Sequence, residues 1–141
     1  MIGRYVLVLV MLPFTGHAAD LPGSECAGPG HYNEEMLLSA VSKDGVKGID
    51  HGKTKVEILS IEPVSDIFAH QLAQADAKGG NGLSVKDYYN VYYDKDVLNL
   101  TAKYTYTDSK GKRDVFIASS LLNNNECSVR FNGYLTVSRE F

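Results

Sequence analysis

Histidine and carboxylate side chains are the residues of this sequence that could carry catalytic or metal chemistry. Asp66 and His70 lie four positions apart in a stretch of helical periodicity, so their side chains share one helix face. Such a pair could begin a metal site, but a structural zinc site takes four protein ligands and a catalytic one takes three. The sequence contains no His-Glu-x-x-His and no Gly-x-Ser-x-Gly motif. We therefore predict no metal, no cofactor and no catalytic residue, with a hydrolase of dispersed active-site residues as the alternative.

Tyrosine supplies a second kind of chemistry, the anchoring of a partner protein. Four of the nine tyrosines occur within residues 88–93. On a helix, Tyr88 and Tyr92 would share one face, and Tyr89 and Tyr93 would share the next. Tyrosine offers a large contact area and is enriched at the energetic centres of protein interfaces. The run therefore predicts one core pair and one exposed pair that binds a partner. The alternative is that all four cover the sheet as core aromatics.

Acidic residues surround this tyrosine run and indicate the charge of a partner. The chain has 17 Asp and Glu residues against 14 Lys and Arg residues, a net charge of −3 with neutral histidine. This balance argues against nucleic-acid binding, which needs a basic surface. A cationic partner protein, such as a toxin or an enzyme, would associate faster with an acidic surface. The predicted partner-binding residues are Tyr88, Tyr89, Tyr92, Tyr93, Asp94 and Asp96.

The two cysteines, Cys26 and Cys127, are predicted to form a disulfide. An even pair in an exported chain most often forms a bridge, because the compartments outside the cytosol are oxidising. The chain-entropy model gives a loop of roughly 100 residues a stabilisation of up to about 4.7 kcal/mol. The alternative is a catalytic thiol, which needs a lowered pKa and access to solvent. Cys127 lies on the predicted apolar face of the last strand, which disfavours that alternative.

The first 19 residues have the layout of a cleaved secretory signal peptide. Arg4 supplies a positive charge, residues 5–14 are almost all apolar, and residues 15–19 offer small side chains for cleavage. The apolar run is shorter than the roughly 20 residues that span a bilayer. We therefore expect no transmembrane segment, a protein exported to the bacterial periplasm or secreted, and a single small domain over residues 20–141.

Hydrophobic periodicity and capping signals predict the elements that position these side chains. Helices are predicted over residues 34–44 and 66–78, and a strand over residues 53–64. The alternation of that strand slips between Ile58 and Leu59, which indicates either a bulge or two partly covered faces. Ser65 is predicted to cap the second helix, whose predicted buried stripe consists of Ile67, Phe68, Gln71, Leu72 and Ala75.

The tyrosine run is ambiguous between helix and strand. Ser84 and Asp87 have the spacing of a capping box at a helix start, whereas four tyrosines and two valines favour a strand. We predict a short helix over residues 84–93.

The C-terminal third reads as three antiparallel strands. Residues 98–106, 115–122 and 127–138 alternate in polarity and are separated by turn residues. In the last strand we predict one apolar side that consists of Cys127, Val129, Phe131, Gly133, Leu135 and Val137. The predicted fold class is α+β, with two or three helices packed on an antiparallel sheet of about four strands, a C-terminal three-stranded meander and one disulfide.

This layout resembles the colicin M immunity proteins and the YebF-like small exported proteins. The similar features are the positions of the two cysteines, the segments 83–87 and 94–96, and the turn at 111–113. The likeness covers roughly the second half of the chain together with Cys26. The resemblance implies a small α+β binder of the periplasm or the exterior that is locked by one disulfide, and it implies no particular binding residue.

We therefore expect a non-enzymatic exported binding protein, of the immunity or inhibitor type, that occludes a partner protein. The first alternative is the small exported hydrolase, which a buried histidine–carboxylate pair at the mouth of a pocket would favour. The second alternative is a surface or adhesin subunit, which would need an exposed sheet edge completed by a neighbour.

Overall fold

A computed structural model describes residues 21–141 as an α+β fold of three α-helices and one four-stranded antiparallel sheet. The strand order β1-β2-β3-β4 follows the chain. The predicted fold class, including the C-terminal meander and the disulfide, is confirmed, while the predicted leader at 1–19 lies outside the described residues. The elements are α1 (Tyr32–Lys43), β1 (Lys55–Pro63), α2 (Asp66–Lys78), α3 (Val85–Tyr92), β2 (Leu98–Thr107), β3 (Arg113–Leu122) and β4 (Arg130–Ser138).

The main core lies between α1 and one face of the sheet, here called the core face. Leu37 and Val41 of α1 are fully buried there against apolar side chains of β2 and β3. The largest buried side chains of this layer are aromatic: Tyr104, Tyr106 and Phe116. Burial of each such ring stabilises the fold by about 1.5–3 kcal/mol relative to leaving it in water.

The disulfide fastens the start of the described chain to the loop before β4. Cys26 lies in a short 3-10 turn, Ser24–Ala27, and its Cα atom is 5.4 Å from that of Cys127. The bridge closes a separation of 101 residues. Cys127 was predicted to open the last strand, but β4 begins only at Arg130.

A second core joins the hairpin of α2 and α3 to one end of the sheet. The bounds predicted for α2 are confirmed, and the Ser65 hydroxyl accepts a hydrogen bond from the Phe68 amide at 3.2 Å. The predicted buried stripe is wrong in part, because Ile67 is 71% exposed, and Gln71 and Ala75 are also exposed. The helix is rotated so that small alanines meet α3 and the sheet. The residues of this core are Val64, Ala69, Leu72, Ala73, Tyr92, Val97 and Leu121.

Register shifts in β1 and β4 determine which face of the sheet the side chains beyond them occupy. The predicted slip in β1 is a register shift, with Ile58 opposite Ala102 and Ser60 opposite Thr101, so that Leu59 is the extra residue. A comparable shift in β4 was not predicted. Phe131 lies opposite Ser120 and Gly133 opposite Ser119, which leaves Asn132 as an extra residue.

This shift overturns the predicted one-sided apolar pattern of the last strand, because an extra residue exchanges the two faces of a strand. Gly133 adopts a φ of 114°, which glycine accepts without the strain that a side chain would bring. Beyond it, Tyr134 packs edge-on against Phe116 in the main core. Leu135 lies opposite Ile117 on the other face of the sheet and is 69% exposed. A second register shift follows at Val137, which is 55% exposed.

Among residues 21–141, no helix combines the length and the apolar character needed to cross a membrane.

Candidate partner-binding site

The tyrosine run forms a helix whose start is fixed by a reciprocal capping box. The Asp87 amide donates to the Ser84 hydroxyl at 3.1 Å, and the Ser84 amide donates to the Asp87 carboxylate at 2.9 Å. The Ser84 hydroxyl and amide together lower the pKa of Asp87, because both donate hydrogen bonds to its charged form. The capping signal therefore outweighed the strand preference of the tyrosines, and the predicted short helix is present as α3.

Tyr92 holds α3 in place from the buried side. Its ring is only 5% exposed, and its hydroxyl donates to the Asp76 carboxylate of α2 at 2.6 Å. Arg130 of β4 donates to the same carboxylate through Nε at 2.7 Å and through Nη2 at 2.8 Å. Burial, followed by the hydrogen bond to Asp76, raises the pKa of Tyr92. The hydrogen bonds from Arg130 are the main reason that the pKa of Asp76 lies below its ordinary value.

The neighbouring face of α3 carries a stack of rings that continues onto α2. His70 and Tyr89 stack with their ring centres 4.1 Å apart, and Tyr89 and Tyr93 follow at 5.3 Å. The Tyr89 hydroxyl donates to the Asp66 carboxylate at 2.7 Å. This hydrogen bond is the main cause that raises the pKa of Tyr89 to about 12. We call the three stacked rings, His70, Tyr89 and Tyr93, the aromatic ridge.

The four tyrosines show a graded burial rather than two equal pairs. Tyr88 stacks on Tyr92 at 5.9 Å, and Tyr89 stacks on Tyr93, so the face assignment made from helical spacing matches the geometry. Tyr92 is buried and Tyr93 is 48% exposed. Tyr88 and Tyr89 are both half-buried and pack against the second core. Tyr93 is therefore the tyrosine of the run that a partner could reach most fully.

Asp94 and Asp96, the acidic residues predicted to bind a partner, lie in different surroundings. Asp94 is exposed and lines a hollow of about 360 Å³ next to Tyr93. The other lining residues are Pro63, Val64, Lys95 and Val97. The Asp96 carboxylate instead accepts a hydrogen bond from the Asn124 amide at 3.4 Å, in the connection between β3 and β4. Asp94 thus belongs to the surface around the ridge, whereas Asp96 is engaged with the β3–β4 connection.

The histidine–carboxylate pair singled out in the sequence lies on this surface but is not enclosed. His70 Nε2 is 3.6 Å from Asp66 Oδ1, and the two side chains are 51% and 59% exposed. The same Asp66 oxygen accepts the Tyr89 hydrogen bond. A general base works best when it is desolvated, and this pair is exposed to solvent. Within residues 21–141 no cluster of three His, Cys, Asp or Glu side chains could hold a metal ion.

A buried polar cluster under α1 was missed in the sequence. Glu34 lies in the first turn of α1, where a carboxylate is usually exposed to solvent, yet it is 3% exposed. It accepts hydrogen bonds from the Gly30 amide at 2.9 Å and from the Tyr106 hydroxyl at 3.1 Å. Asn33 donates to the Tyr104 hydroxyl, and burial is the main cause that raises the pKa of Tyr104 to about 12. Because these side chains are sealed beneath α1, the cluster fastens that helix to the sheet rather than facing a substrate.

The partnership of Asp76 with Arg130 was also missed. The two residues are 54 positions apart, and neither stands in a motif, so only the fold brings them together.

The family models, the curated proteins and the solved structures with which we compared the chain contain no match to this protein.

Proposed function

We propose that this protein is a small exported binding protein of the immunity or inhibitor type, which acts by occluding a partner protein. The proposed contact surface is the aromatic ridge together with the hollow at Asp94. The observation that carries the proposal is the stack of His70, Tyr89 and Tyr93, whose two outer rings are exposed, on a helix hairpin that packs on the second core. Aromatic side chains held in this way are typical anchors of protein interfaces.

The anchoring keeps the entropic cost of binding low. Tyr89 is fixed by its hydrogen bond to Asp66 and by stacking on both sides, so it has little rotamer freedom to lose. The ion pair of Asp76 with Arg130 and the hydroxyl of Tyr92 tie α3 to α2 and to β4. A contact surface that is already ordered binds more tightly than one that must become ordered on binding.

The chemistry around the ridge favours a cationic partner. Asp66 and Asp87 are exposed on the hairpin, and Asp94 lines the hollow beside Tyr93. A lysine or arginine of the partner could place its charge near Asp94 and pack its apolar stem against the Tyr93 ring. The acidic surroundings would also raise the association rate at low salt.

Four further features support the proposal over its alternatives. The Cys26–Cys127 disulfide is typical of exported proteins, and the layout resembles that of exported immunity proteins. The exposed pair of Asp66 and His70 lacks the enclosure expected of a hydrolase site. The edge strands of the sheet carry register shifts, at Leu59 in β1 and at Asn132 and Val137 in β4, and such irregularities oppose strand addition by a neighbour.

Site-specific photo-crosslinking in the native host tests the contact surface. A photoreactive phenylalanine analogue at position 93 should give an adduct with one protein, which mass spectrometry then identifies. The matched control places the analogue at position 109, in the exposed turn between β2 and β3. Adducts that form equally from both positions, or from neither, would refute the proposed surface.

Affinity measurements with the identified partner complete the test. Tyr93→Ala should weaken binding by about 2 kcal/mol, roughly thirtyfold, if Tyr93 is an interface anchor. Ser109→Ala is the control and should leave the affinity unchanged. Asp94→Asn should mainly slow association, and this effect should shrink in high salt.

Export is tested separately by the mature N-terminus. Mass spectrometry of the protein from the periplasm or the medium should find a chain that begins near Ala19 or Asp20. An intact Met1 in cytosolic protein would contradict export. It would not bear on the binding surface, which the crosslinking experiment tests.

A further inference from the structure

A hollow of about 480 Å³ lies at the other end of the molecule, between the last turns of α1 and the loop that follows them. Its volume falls in the range of sites that hold small ligands. The apolar lining comes from Leu38, Val46 and Ile49, of which Val46 is 3% exposed. The polar lining comes from Ser39, Ser42, Lys47 and His51. The hollow thus combines apolar side chains with residues that carry hydroxyl, ammonium and imidazole groups.

The loop that forms this hollow is pinned at both ends, so the hollow exists without a ligand. The Val46 amide donates to the Val41 carbonyl at 3.0 Å, directly after α1. At the other end, the Asp50 amide donates to the Thr107 carbonyl at 2.7 Å, and Ile49 forms a bridge with Asp108. Small-molecule sites are usually preformed in this way.

The charge in the hollow is positive although the chain as a whole is acidic. The segment that lines the hollow, residues 38–51, contains two carboxylates, Asp44 and Asp50, and both are engaged elsewhere. Asp44 accepts the hydroxyl of Tyr134, and Asp50 accepts the Gly52 amide at 3.2 Å and pairs with Lys53 at 3.2 Å. Lys47 forms no ion pair with any residue of the described part of the chain, 21–141. Its ammonium group is therefore available to a ligand.

We propose that this hollow binds a small carboxylate ligand with a short apolar chain. The carboxylate would pair with Lys47 and accept hydrogen bonds from the Ser39 and Ser42 hydroxyls, while the chain would cover Leu38 and Ile49. Lysine is a flexible point-charge partner for carboxylates, and Ser hydroxyls donate readily to them. The site lies on α1 and its following loop, so it is independent of the aromatic ridge and of the proposed function.

The chemistry fits two sources, a free short-chain fatty acid and the C-terminal carboxylate of a peptide that ends in an apolar residue. The test is a titration of the isotope-labelled protein, as purified from its host. The amide NMR signals of the loop report on binding. The probes are hexanoate for the fatty acid and N-acetyl-leucine for the peptide terminus. Acetate lacks the apolar chain and hexylamine reverses the charge, so these two serve as controls.

Hexanoate or N-acetyl-leucine should shift the signals of Val46, Gly48 and Ile49 in a saturable manner, with a dissociation constant of about 0.1–10 mM. The stronger of the two probes identifies the source. Lys47→Gln should weaken binding at least about fivefold, because the charge pair is lost, while Lys47→Arg should retain it. Ser42→Phe should abolish binding by filling the hollow, and its unchanged melting temperature would show that the fold is intact.

Two results would overturn the proposal. One is a response to hexylamine or acetate as strong as the response to both longer carboxylates. The other is equal affinity of the protein and its Lys47→Gln variant for hexanoate.

Discussion

The phenolic hydroxyl of Tyr92 lies 2.6 Å from the carboxylate of Asp76, so α3 is hydrogen-bonded to α2 through a ring that is almost fully buried. The same carboxylate receives two hydrogen bonds from Arg130 of β4, whose guanidinium group also lies 5.9 Å from the centre of the Tyr92 ring. One side chain of α2 thus joins both α3 and the sheet, and the exposed aromatic ridge depends on this junction for its position.

Tyr92 and Tyr93 should therefore differ sharply in their effect on stability. Tyr92→Phe removes a hydrogen bond to a charged group and should lower the free energy of unfolding by about 1.5–3 kcal/mol. Tyr92→Ala should cost about 3–5 kcal/mol, because it also leaves a cavity. Tyr93→Ala should stay within about 0.5 kcal/mol of the unmodified protein. Urea unfolding measures all three, and equal costs for Tyr92→Ala and Tyr93→Ala would refute the assigned roles.

Acid should weaken the same junction. The pKa of Asp76 in the fold lies below its ordinary value of 3.8, so the ion pair contributes its full stabilisation above that value. As the pH falls from about 4 towards the lower pKa of the folded state, protonation removes the contribution. Asp76→Asn should be less stable at neutral pH and should show a shallower loss of stability below pH about 4. Glu35→Gln removes an equal charge from the surface of α1 and is the matched control in chemical denaturation at each pH.

Removal of the disulfide should destabilise the domain substantially. Replacing both cysteines, Cys26→Ala with Cys127→Ala, should cost about 2–5 kcal/mol, chiefly because the unfolded chain gains freedom. Thermal melts of the protein in the presence of a reductant should approach those of the double variant. The reductant should leave the double variant itself unchanged. A double variant that melts at the same temperature as the oxidised protein would contradict the structural role of the bridge.

The ionisation of Tyr89 reports directly on the ridge. Its pKa is raised to about 12 because the hydroxyl donates to Asp66. The neutral form is thus favoured in the fold, and this stabilisation is complete below the ordinary pKa of about 10 and lost as the pH rises through about 12. Asp66→Ala should return the pKa towards 10, as measured by NMR of labelled tyrosine ring carbons. Asp87→Ala leaves the contact between Tyr89 and Asp66 in place, so it should not change the pKa of Tyr89. If Asp66→Ala also left the pKa of Tyr89 unchanged, the contact would be disproved.

The sequence predicted helix ends and helix formation best where residues within one helical turn determine them. Ser65 and the glycines after Lys78 mark both ends of α2, since a cap and a following glycine act within one helical turn. Ser84 and Asp87 likewise decided α3 against the strand preference of its tyrosines. The disulfide could be predicted from the two cysteines together with the expected export of the chain.

Features that depend on distant packing could not be read from the sequence in this way. The extra residue at Asn132 exchanges the faces of β4, and a strict alternation rule cannot foresee it. The rotation of α2 that exposes Ile67 is set by the alanines packed against α3 and the sheet. The burial of Glu34 could not be predicted from the sequence, because it follows from the position of α1 over Tyr106.

The position of the disulfide also determines how the molecule would respond to a pulling force. Cys26 and Cys127 close a covalent ring that contains all three helices and the strands β1, β2 and β3, whereas β4 lies outside it. Tension applied at residues 21 and 141 would pass through the sulfur bridge and would not extend the chain between the two cysteines. Under load, β4 is therefore the only strand among the described residues that could be peeled away, and the remainder of the domain would stay mechanically shielded.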